Sequence, residues 1–189
     1  MRKVPHFELG HVGIYVEDMD RMIAFYERVM GYSVSDRGKP PLGGEEMCFM
    51  SRNPNEHHQL VFMAGRPKGL PSQIVQLSHK LGSLADLRTM HEIVQAEREA
   101  SDIQIRAHGI AWSMYFKDPE GNVVECFVPS PWYVHAPSAI PFDFTMTDEE
   151  IFEHTRKALQ VRPDFKTFAD WKTEAAARMG LEIFNVYVK

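Results

Sequence analysis

The chain has 189 residues, a net charge of −5 and 44% hydrophobic residues, which is typical of one soluble globular domain or two small intertwined modules. No block of like charge indicates a nucleic-acid partner, and no apolar run approaches the ~20 residues that cross a membrane. The two cysteines predict no disulfide framework. Because the start also lacks the apolar core of a secretory leader, we expect a cytoplasmic protein.

The first third of the chain follows the order strand, helix and three strands. Residues 9–16 predict a strand, and residues 18–31 predict an amphipathic helix because their apolar positions recur at i, i+3, i+4 and i+7. Asp18 is suited to cap the start of this helix and Gly31 to end it. Turn-rich segments separate three further predicted strands, at 32–36, 46–51 and 58–63.

The same order recurs in the second third. Residues 74–81 predict a strand and residues 83–100 a helix capped by Ser83, followed by strands at 103–107, 112–118 and 122–128. A repeat of this length is not a solenoid unit. The pattern therefore predicts an α+β fold in which two βαβββ modules, about 7–64 and 73–128, form one eight-stranded half-open barrel.

Residues 129–189 lie outside the repeat and predict a largely helical C-terminal extension. Thr147 and Glu150 have the spacing of a capping box at a helix start. We therefore expect a domain at 7–128 followed by an extension that serves as a lid or an oligomer contact. The predicted elements of the extension are a proline-rich wrap, helices at 147–160 and 164–180, and a last strand at 181–189.

The segment GNVVECF, residues 121–127, places Glu125 inside an apolar run. Strand alternation puts Glu125 on one face with Val123 and Phe127, where a carboxylate is costly to bury unless something pairs with it. His11 and His79 are likewise polar groups on largely apolar faces, each in the first strand of its half.

If these faces line one concave sheet, two imidazoles and one carboxylate form the 2-His-1-carboxylate triad that holds Fe(II) with open coordination positions. The alternative for each residue alone is structural. A single histidine on a strand is more often hydrogen-bonded and half-buried, and a single strand glutamate usually faces solvent or pairs with lysine. The metal interpretation depends on the occurrence of all three at matching places.

The two modules, with the segments GHVGIYVEDMDRMIAFYERVMGYSV and DPEGNVVECF, resemble the vicinal oxygen chelate superfamily over residues 7–128. That superfamily includes extradiol dioxygenases, glyoxalase I, epimerases and drug-sequestering resistance proteins. The resemblance implies the paired-module fold, and it implies a homo-oligomer.

A more specific resemblance is to type I extradiol dioxygenases. NEHHQLVF, residues 55–62, resembles a family stretch whose second histidine, here His58, is an acid–base group beside the dioxygen site. Tyr115 precedes Glu125 by ten residues, as does a family tyrosine that hydrogen-bonds the substrate. His108 resembles the remaining active-site histidine, although it lies slightly closer to the glutamate than the family pattern has it.

The resemblance thus implies a one-domain extradiol dioxygenase that takes a catechol or biaryl diol and O₂ as its partners. Fe(II), with Mn(II) as the alternative, would be held by His11, His79 and Glu125. His58, Tyr115 and His108 would be the catalytic residues, and the product would be of the muconic-semialdehyde type.

Three other functions stay open within the superfamily. Glyoxalase-I-like isomerases have a fourth protein ligand at a position that aligns with Val61, although a register shift would bring Gln59 there. An epimerase is the second alternative. The third is a metal-free small-molecule-binding protein of the same fold, which the presence of all three candidate ligands disfavours.

Overall fold

The computed structural model describes residue 5, residues 7–72 and residues 74–181. The chain divides into two compact units, and neither is one continuous segment. The first runs to Gln76 and also contains Glu97–Ser101 and Lys117–Val123, whereas the second contains Leu77–Ala96, Asp102–Phe116 and the residues from Val124 onward. None of the described helices reaches the length and apolarity that a membrane crossing requires.

The first module comprises β1 (Val12–Val16), α1 (Met19–Met30), β2 (Ser33–Gly38), β3 (Met47–Ser51) and β4 (Leu60–Ala64). Its sheet has the order β1-β4-β3-β2, in which β1 is parallel to β4 and the other pairs are antiparallel. The predicted caps of α1 are confirmed: the Asp18 side chain accepts from the backbone N–H of Arg21, and Gly31 is left-handed with φ 67°.

The second module comprises β5 (Leu77–Lys80), α2 (Leu84–Ala96), β6 (Ser101–Ala107), β7 (Ala111–Lys117) and β8 (Val123–Pro129), with the sheet order β5-β8-β7-β6. The α+β class and both βαβββ modules are therefore confirmed, and each four-stranded sheet is open. Helix α2 ends four residues earlier than predicted, and residues 97–101 belong to the first unit. There Glu97 and Glu99 form ion pairs with Arg28.

The C-terminal extension clusters with the second unit. Its helix α3 begins at the predicted capping box of Thr147 and Glu150, and buried Trp112 donates a hydrogen bond of 2.9 Å from Nε1 to Thr155 of this helix. The predicted strand at 181–189 lies, beyond Leu181, outside the described residues. The elements of the extension are β9 (Trp132–Tyr133), α3 (Asp148–Leu159), β10 (Lys166–Thr167) and α4 (Phe168–Met179), and β9 pairs with β10.

A buried carboxylate anchors the turn between β7 and β8 in the first unit. Asp118 is only 2% exposed and accepts hydrogen bonds from the backbone N–H groups of Glu120 and Asn122, at 3.0 and 2.9 Å. It also accepts from the Asn122 amide at 2.8 Å and from the Tyr26 hydroxyl of α1 at 3.1 Å. Burial raises the pKa of Asp118, and the four donors oppose that rise.

Replacing Tyr26 by phenylalanine should therefore lower the free energy of unfolding by about 1–2 kcal/mol, because a buried carboxylate loses one donor while the ring is kept. Tyr15→Phe is the matched control, since Tyr15 is 59% exposed and its hydroxyl lies outside this cluster. Urea denaturation of both variants measures the difference. Equal losses in the two variants would contradict a stabilising role of the Tyr26 hydroxyl.

Candidate active site

In the first unit, one face of the sheet carries a row of residues defined by the strand register. Gly13 of β1 lies opposite Val61 of β4, Val61 lies opposite Phe49 of β3, and Phe49 lies opposite Asp36 of β2. Paired residues project on the same side of a sheet, so these four positions share one face. His11, two residues before Gly13, belongs to the same face by strand alternation.

Two of the predicted functional histidines meet beside this row. The rings of His11 and His58 are 4.3 Å apart between centroids, and Phe49 contacts the His58 ring edge-on at 5.1 Å. Burial lowers the pKa of His58, and the neighbouring rings of His11 and His57 lower it further. His58 is therefore a half-buried imidazole that favours its neutral form.

In the second unit, the structure shows what the buried Glu125 meets. Glu125 is 7% exposed, and each of its carboxylate oxygens accepts a hydrogen bond from a hydroxyl. The Tyr115 hydroxyl donates to Oε1 at 2.5 Å, and the Ser78 hydroxyl donates to Oε2 at 2.5 Å. Hydrogen bonds from a hydroxyl to a charged acceptor are short and strong, so these two bonds offset much of the free-energy cost of burying the carboxylate.

His108 extends this chain of hydrogen bonds. Its Nε2 lies 2.8 Å from the Tyr115 oxygen, and its Nδ1 lies 2.6 Å from the backbone carbonyl of Ser138. A carbonyl only accepts, so Nδ1 carries a proton. The structure thus brings together three residues that were predicted to act in one site: Glu125, Tyr115 and His108.

The single proton of the Tyr115 hydroxyl has two possible acceptors. If it goes to Glu125, the Nε2 of His108 must itself carry a proton to bond the phenol oxygen. If it goes to a neutral His108, the bond to Glu125 needs a proton on the carboxyl group. Burial raises the pKa of Tyr115, and the Glu125 carboxylate raises it further, so the phenol stays protonated at neutral pH.

The expectation that His79 shares a face with Glu125 is wrong. In the parallel pair β5–β8, Ser78 lies opposite Glu125, whereas His79 lies opposite Cys126. Side chains alternate along a strand, so the imidazole projects from the other side of the sheet. The assumed equivalence of His11 and His79 is displaced by three positions, and an odd displacement reverses the face.

The register identifies a different counterpart of His11. His11 precedes Gly13 by two residues, and Gly13 pairs with Val61; in the second module Ser78 pairs with Glu125 in the same way. The residue two positions before Ser78 is Gln76. The same comparison makes Val61 the counterpart of Glu125, as the sequence alignment predicted.

The predicted metal triad does not fit the structure as a set. His79 projects from the face opposite to Glu125, and both oxygens of Glu125 are held by hydroxyl donors. Within residues 7–72 and 74–181, no group of three or more His, Cys, Asp or Glu side chains is arranged to hold a metal ion. Of the predicted ligands, His11 and Glu125 keep the strand faces expected of them, one in each unit.

Three contacts of these residues were not predicted from sequence. Ser78 stands beside the more conspicuous His79, and its bond to Glu125 follows from the register of β5 against β8, which the local sequence does not contain. Asp36 binds His57 across the sheet, and the bulge between Val34 and Asp36 hides that relation from any local pattern. The Ser138 carbonyl comes from the extension, which had no expected role here.

The comparisons with known proteins agree with this architecture. A family model described as the Glyoxalase/Bleomycin resistance protein/Dioxygenase superfamily matches residues 8–126. This match covers more than half of the chain, so the protein belongs to that superfamily. The predicted resemblance is thereby confirmed at the level of the superfamily.

Two relatives illustrate the sequence similarity. The uncharacterized protein YwbC of Bacillus subtilis (strain 168) is 25% identical over 121 residues, which cover 63% of this chain and 95% of YwbC. Biphenyl-2,3-diol 1,2-dioxygenase 3 of Rhodococcus globerulus is 27% identical over 127 residues. That second match spans 62% of this chain and 60% of the dioxygenase.

Solved structures share the fold at lower identity. A glyoxylase/bleomycin resistance protein/dioxygenase domain from Frankia sp. EAN1pec has a TM-score of 0.56 and 16% identity, covering 67% of this chain and all of that one. A glutamate-to-glutamine mutant of the fosfomycin resistance protein FosX from Listeria monocytogenes, complexed with Mn(II) and 1S,2S-dihydroxypropylphosphonic acid, has a TM-score of 0.50 and 14% identity, covering 63% of this chain and 90% of that one. These likenesses concern the fold alone.

Gly109 holds the backbone beside His108, and its replacement by alanine should disturb this site. Gly109 has φ +85°, and a Cβ there would lie 2.5 Å from Cγ2 of Val134. Gly121→Ala is the matched control, because Gly121 has φ +80° and open space around it. Both variants should lose about 1–2 kcal/mol from the left-handed backbone, and Gly109→Ala about 1–3 kcal/mol more from the clash. Denaturation curves measure the difference, and equal losses would show that the Val134 contact is relieved without cost.

Proposed function

We propose that this protein is an extradiol-type dioxygenase that opens the ring of a catechol or biaryl diol with O₂. The observation that carries the proposal is the hydrogen-bond chain of Glu125, Tyr115 and His108, which places a protonated phenol between a carboxylate and an imidazole. Membership of the superfamily supports it, as does the 27% identity to an enzyme named as a biphenyl-2,3-diol dioxygenase.

In this proposal the Tyr115 hydroxyl, which bonds Glu125 in the structure, turns its one proton to an oxygen of the diol. Its raised pKa keeps the proton on the phenol at neutral pH, so it donates and does not act as a base. His108 can take up or return a proton at Nε2, because the Ser138 carbonyl holds the other proton on Nδ1. Together the two side chains would orient the diol and accept one of its protons.

His58 is the proposed acid–base group in the first unit. Burial and the neighbouring rings of His11 and His57 lower its pKa, so the ring is neutral and able to accept a proton at pH 7. Its contact with Phe49 holds the ring against the sheet. In the reaction it would move a proton to or from an oxygen atom derived from O₂.

The proposed cofactor is Fe(II), with Mn(II) as the alternative, since both metals suit nitrogen and oxygen ligands. When bound, the metal would supply the redox chemistry that lets a diol react with dioxygen. We propose His11 and Glu125 as two of its protein donors. For the third we propose the side-chain amide oxygen of Gln76 in place of His79, because the register makes Gln76 the counterpart of His11.

The isomerase alternative is weakened by Val61. In glyoxalase-I-like isomerases the superfamily pattern requires a fourth ligand on the last strand of the first module. The pairing of Val61 with Gly13 makes this position the counterpart of Glu125, and valine has no donor atom. Gln59 would occupy that position only if the register of β4 were shifted by two residues.

The activity test is direct. The protein, purified without air and loaded with Fe(II), receives 2,3-dihydroxybiphenyl or 3-methylcatechol and then oxygenated buffer. We expect a yellow product and the uptake of one O₂ per diol, recorded by visible absorbance and an oxygen electrode. If several catechols give neither signal although metal is bound, the dioxygenase proposal is wrong and an isomerase or epimerase replaces it.

The choice between Gln76 and His79 as a ligand has its own test. Gln76→Ala should weaken metal binding roughly tenfold or more, whereas His79→Ala should bind metal like the unmodified protein. Titration of the metal-free protein with Fe(II) or Mn(II) under anaerobic conditions measures both affinities. Loss of affinity in His79→Ala with none in Gln76→Ala would restore the original triad and contradict the register argument.

A further inference from the structure

His57 connects an acidic residue to the proposed acid–base histidine. Its Nε2 lies 2.7 Å from Oδ2 of Asp36, and its Nδ1 lies 2.9 Å from Nδ1 of His58. Asp36, His57 and His58 therefore form a continuous chain of two hydrogen bonds within the first unit. The chain begins at a carboxylate and ends at the imidazole that contacts His11.

With His57 in its neutral form, the chemistry of these groups sets the direction of both bonds. An ionised carboxylate only accepts, so Nε2 of His57 carries a proton and donates it to Asp36. A neutral imidazole has one N–H, which leaves Nδ1 of His57 as an acceptor. The Nδ1 of His58 must then be the donor, and the Nε2 of a neutral His58 bears the free electron pair.

The fold, and not the local sequence, brings Asp36 to His57. The bulge between Val34 and Asp36 changes the register of β2, and after it Asp36 lies opposite Phe49. Bulges redirect side chains in this way. Phe49 contacts the rings of both His57 and His58, at centroid distances of 6.0 and 5.1 Å, so one aromatic side chain supports the whole histidine pair.

We propose that Asp36 is a positioning residue which, through His57, holds His58 in the tautomer with its proton on Nδ1. This inference rests on the proposed function only in giving His58 a proton to move. Nε2 of His58 would then be the proton-accepting nitrogen. The buried carboxylate of a catalytic triad fixes the tautomer of its histidine in a comparable way. The first module would thus have its own carboxylate–imidazole pair, separate from Glu125 and His108 of the second module.

The hydrogen bonds of Asp36, His57 and His58 contribute little to the stability of the fold, so these residues are suitable for substitution. The side chains of Asp36 and His57 are 70% and 57% exposed. Exposed pairs of this kind add little to the free energy of unfolding. Variants at Asp36 should therefore remain folded, and their effects should report on the orientation and tautomer of His58.

The primary test is the tautomer itself, read from the imidazole ¹⁵N shifts of the metal-free protein, with His57→Phe and His58→Phe used to assign the signals. We expect His58 as the Nδ1–H tautomer in the unmodified protein and in Asp36→Asn, whose amide oxygen still accepts a bond. Asp36→Ala should show a mixture of tautomers. A predominant Nε2–H tautomer in the unmodified protein, or an unchanged His58 in Asp36→Ala, would overturn the proposal.

The kinetic test uses the same variants with catechol substrate. Asp36→Ala should lower kcat roughly 10–100-fold with a smaller change in KM, and Asp36→Asn should recover most of the loss. Glu56→Ala is the matched control, because it removes one exposed negative charge from the loop that carries His57 and leaves the chain intact. Equal losses in Glu56→Ala and Asp36→Ala would contradict the proposal. Absence of ring cleavage in the unmodified protein as well as in the variants would refute the proposed function and leave the tautomer measurement decisive.

Discussion

Strand parity is the constraint on which the candidate residues of each unit depend. Side chains alternate between the two faces of a strand. Two residues on neighbouring strands can therefore contact each other only if the register places both side chains on the same face of the sheet. Glu125 satisfies this condition with Ser78 and Tyr115, whose hydroxyls compensate the buried carboxylate. His79 fails it by a single residue.

Each unit contains a carboxylate that is joined to a histidine by hydrogen bonds, but the two arrangements differ. In the second unit the carboxylate is central and buried, and a phenol links it to His108. In the first unit the carboxylate is Asp36, which lies on the edge strand β2, is exposed to solvent and bonds His57. Where Glu125 stands in one module, Val61 stands in the other, so the two βαβββ modules share a scaffold and differ in their polar groups.

Most of the fold could be predicted from the sequence, because apolar periodicity and caps such as Asp18 and Thr147 act locally. The contact of Tyr115 with Glu125 could also be predicted from their spacing, since the two residues lie on adjacent strands of one hairpin. Residue type was a poor guide to His79, because the pairing of β5 with β8 places Ser78, and not His79, opposite Glu125. Contacts that cross a bulge or come from the extension, at Asp36 and Ser138, have no signature in the local sequence.

The composition of the first unit has a consequence for how such a protein can evolve. Its Tyr26 and Arg66 are bonded to Asp118 and Glu120, which lie on the hairpin turn of the second module. A gene cut between the two modules would leave the first without these partners, and Arg66, whose side chain is only 8% exposed in the intact protein, would lose Glu120. The repeat visible in the sequence is therefore not a separable unit. Recombination that exchanges the first module would have to carry the turn at Lys117–Val123 with it.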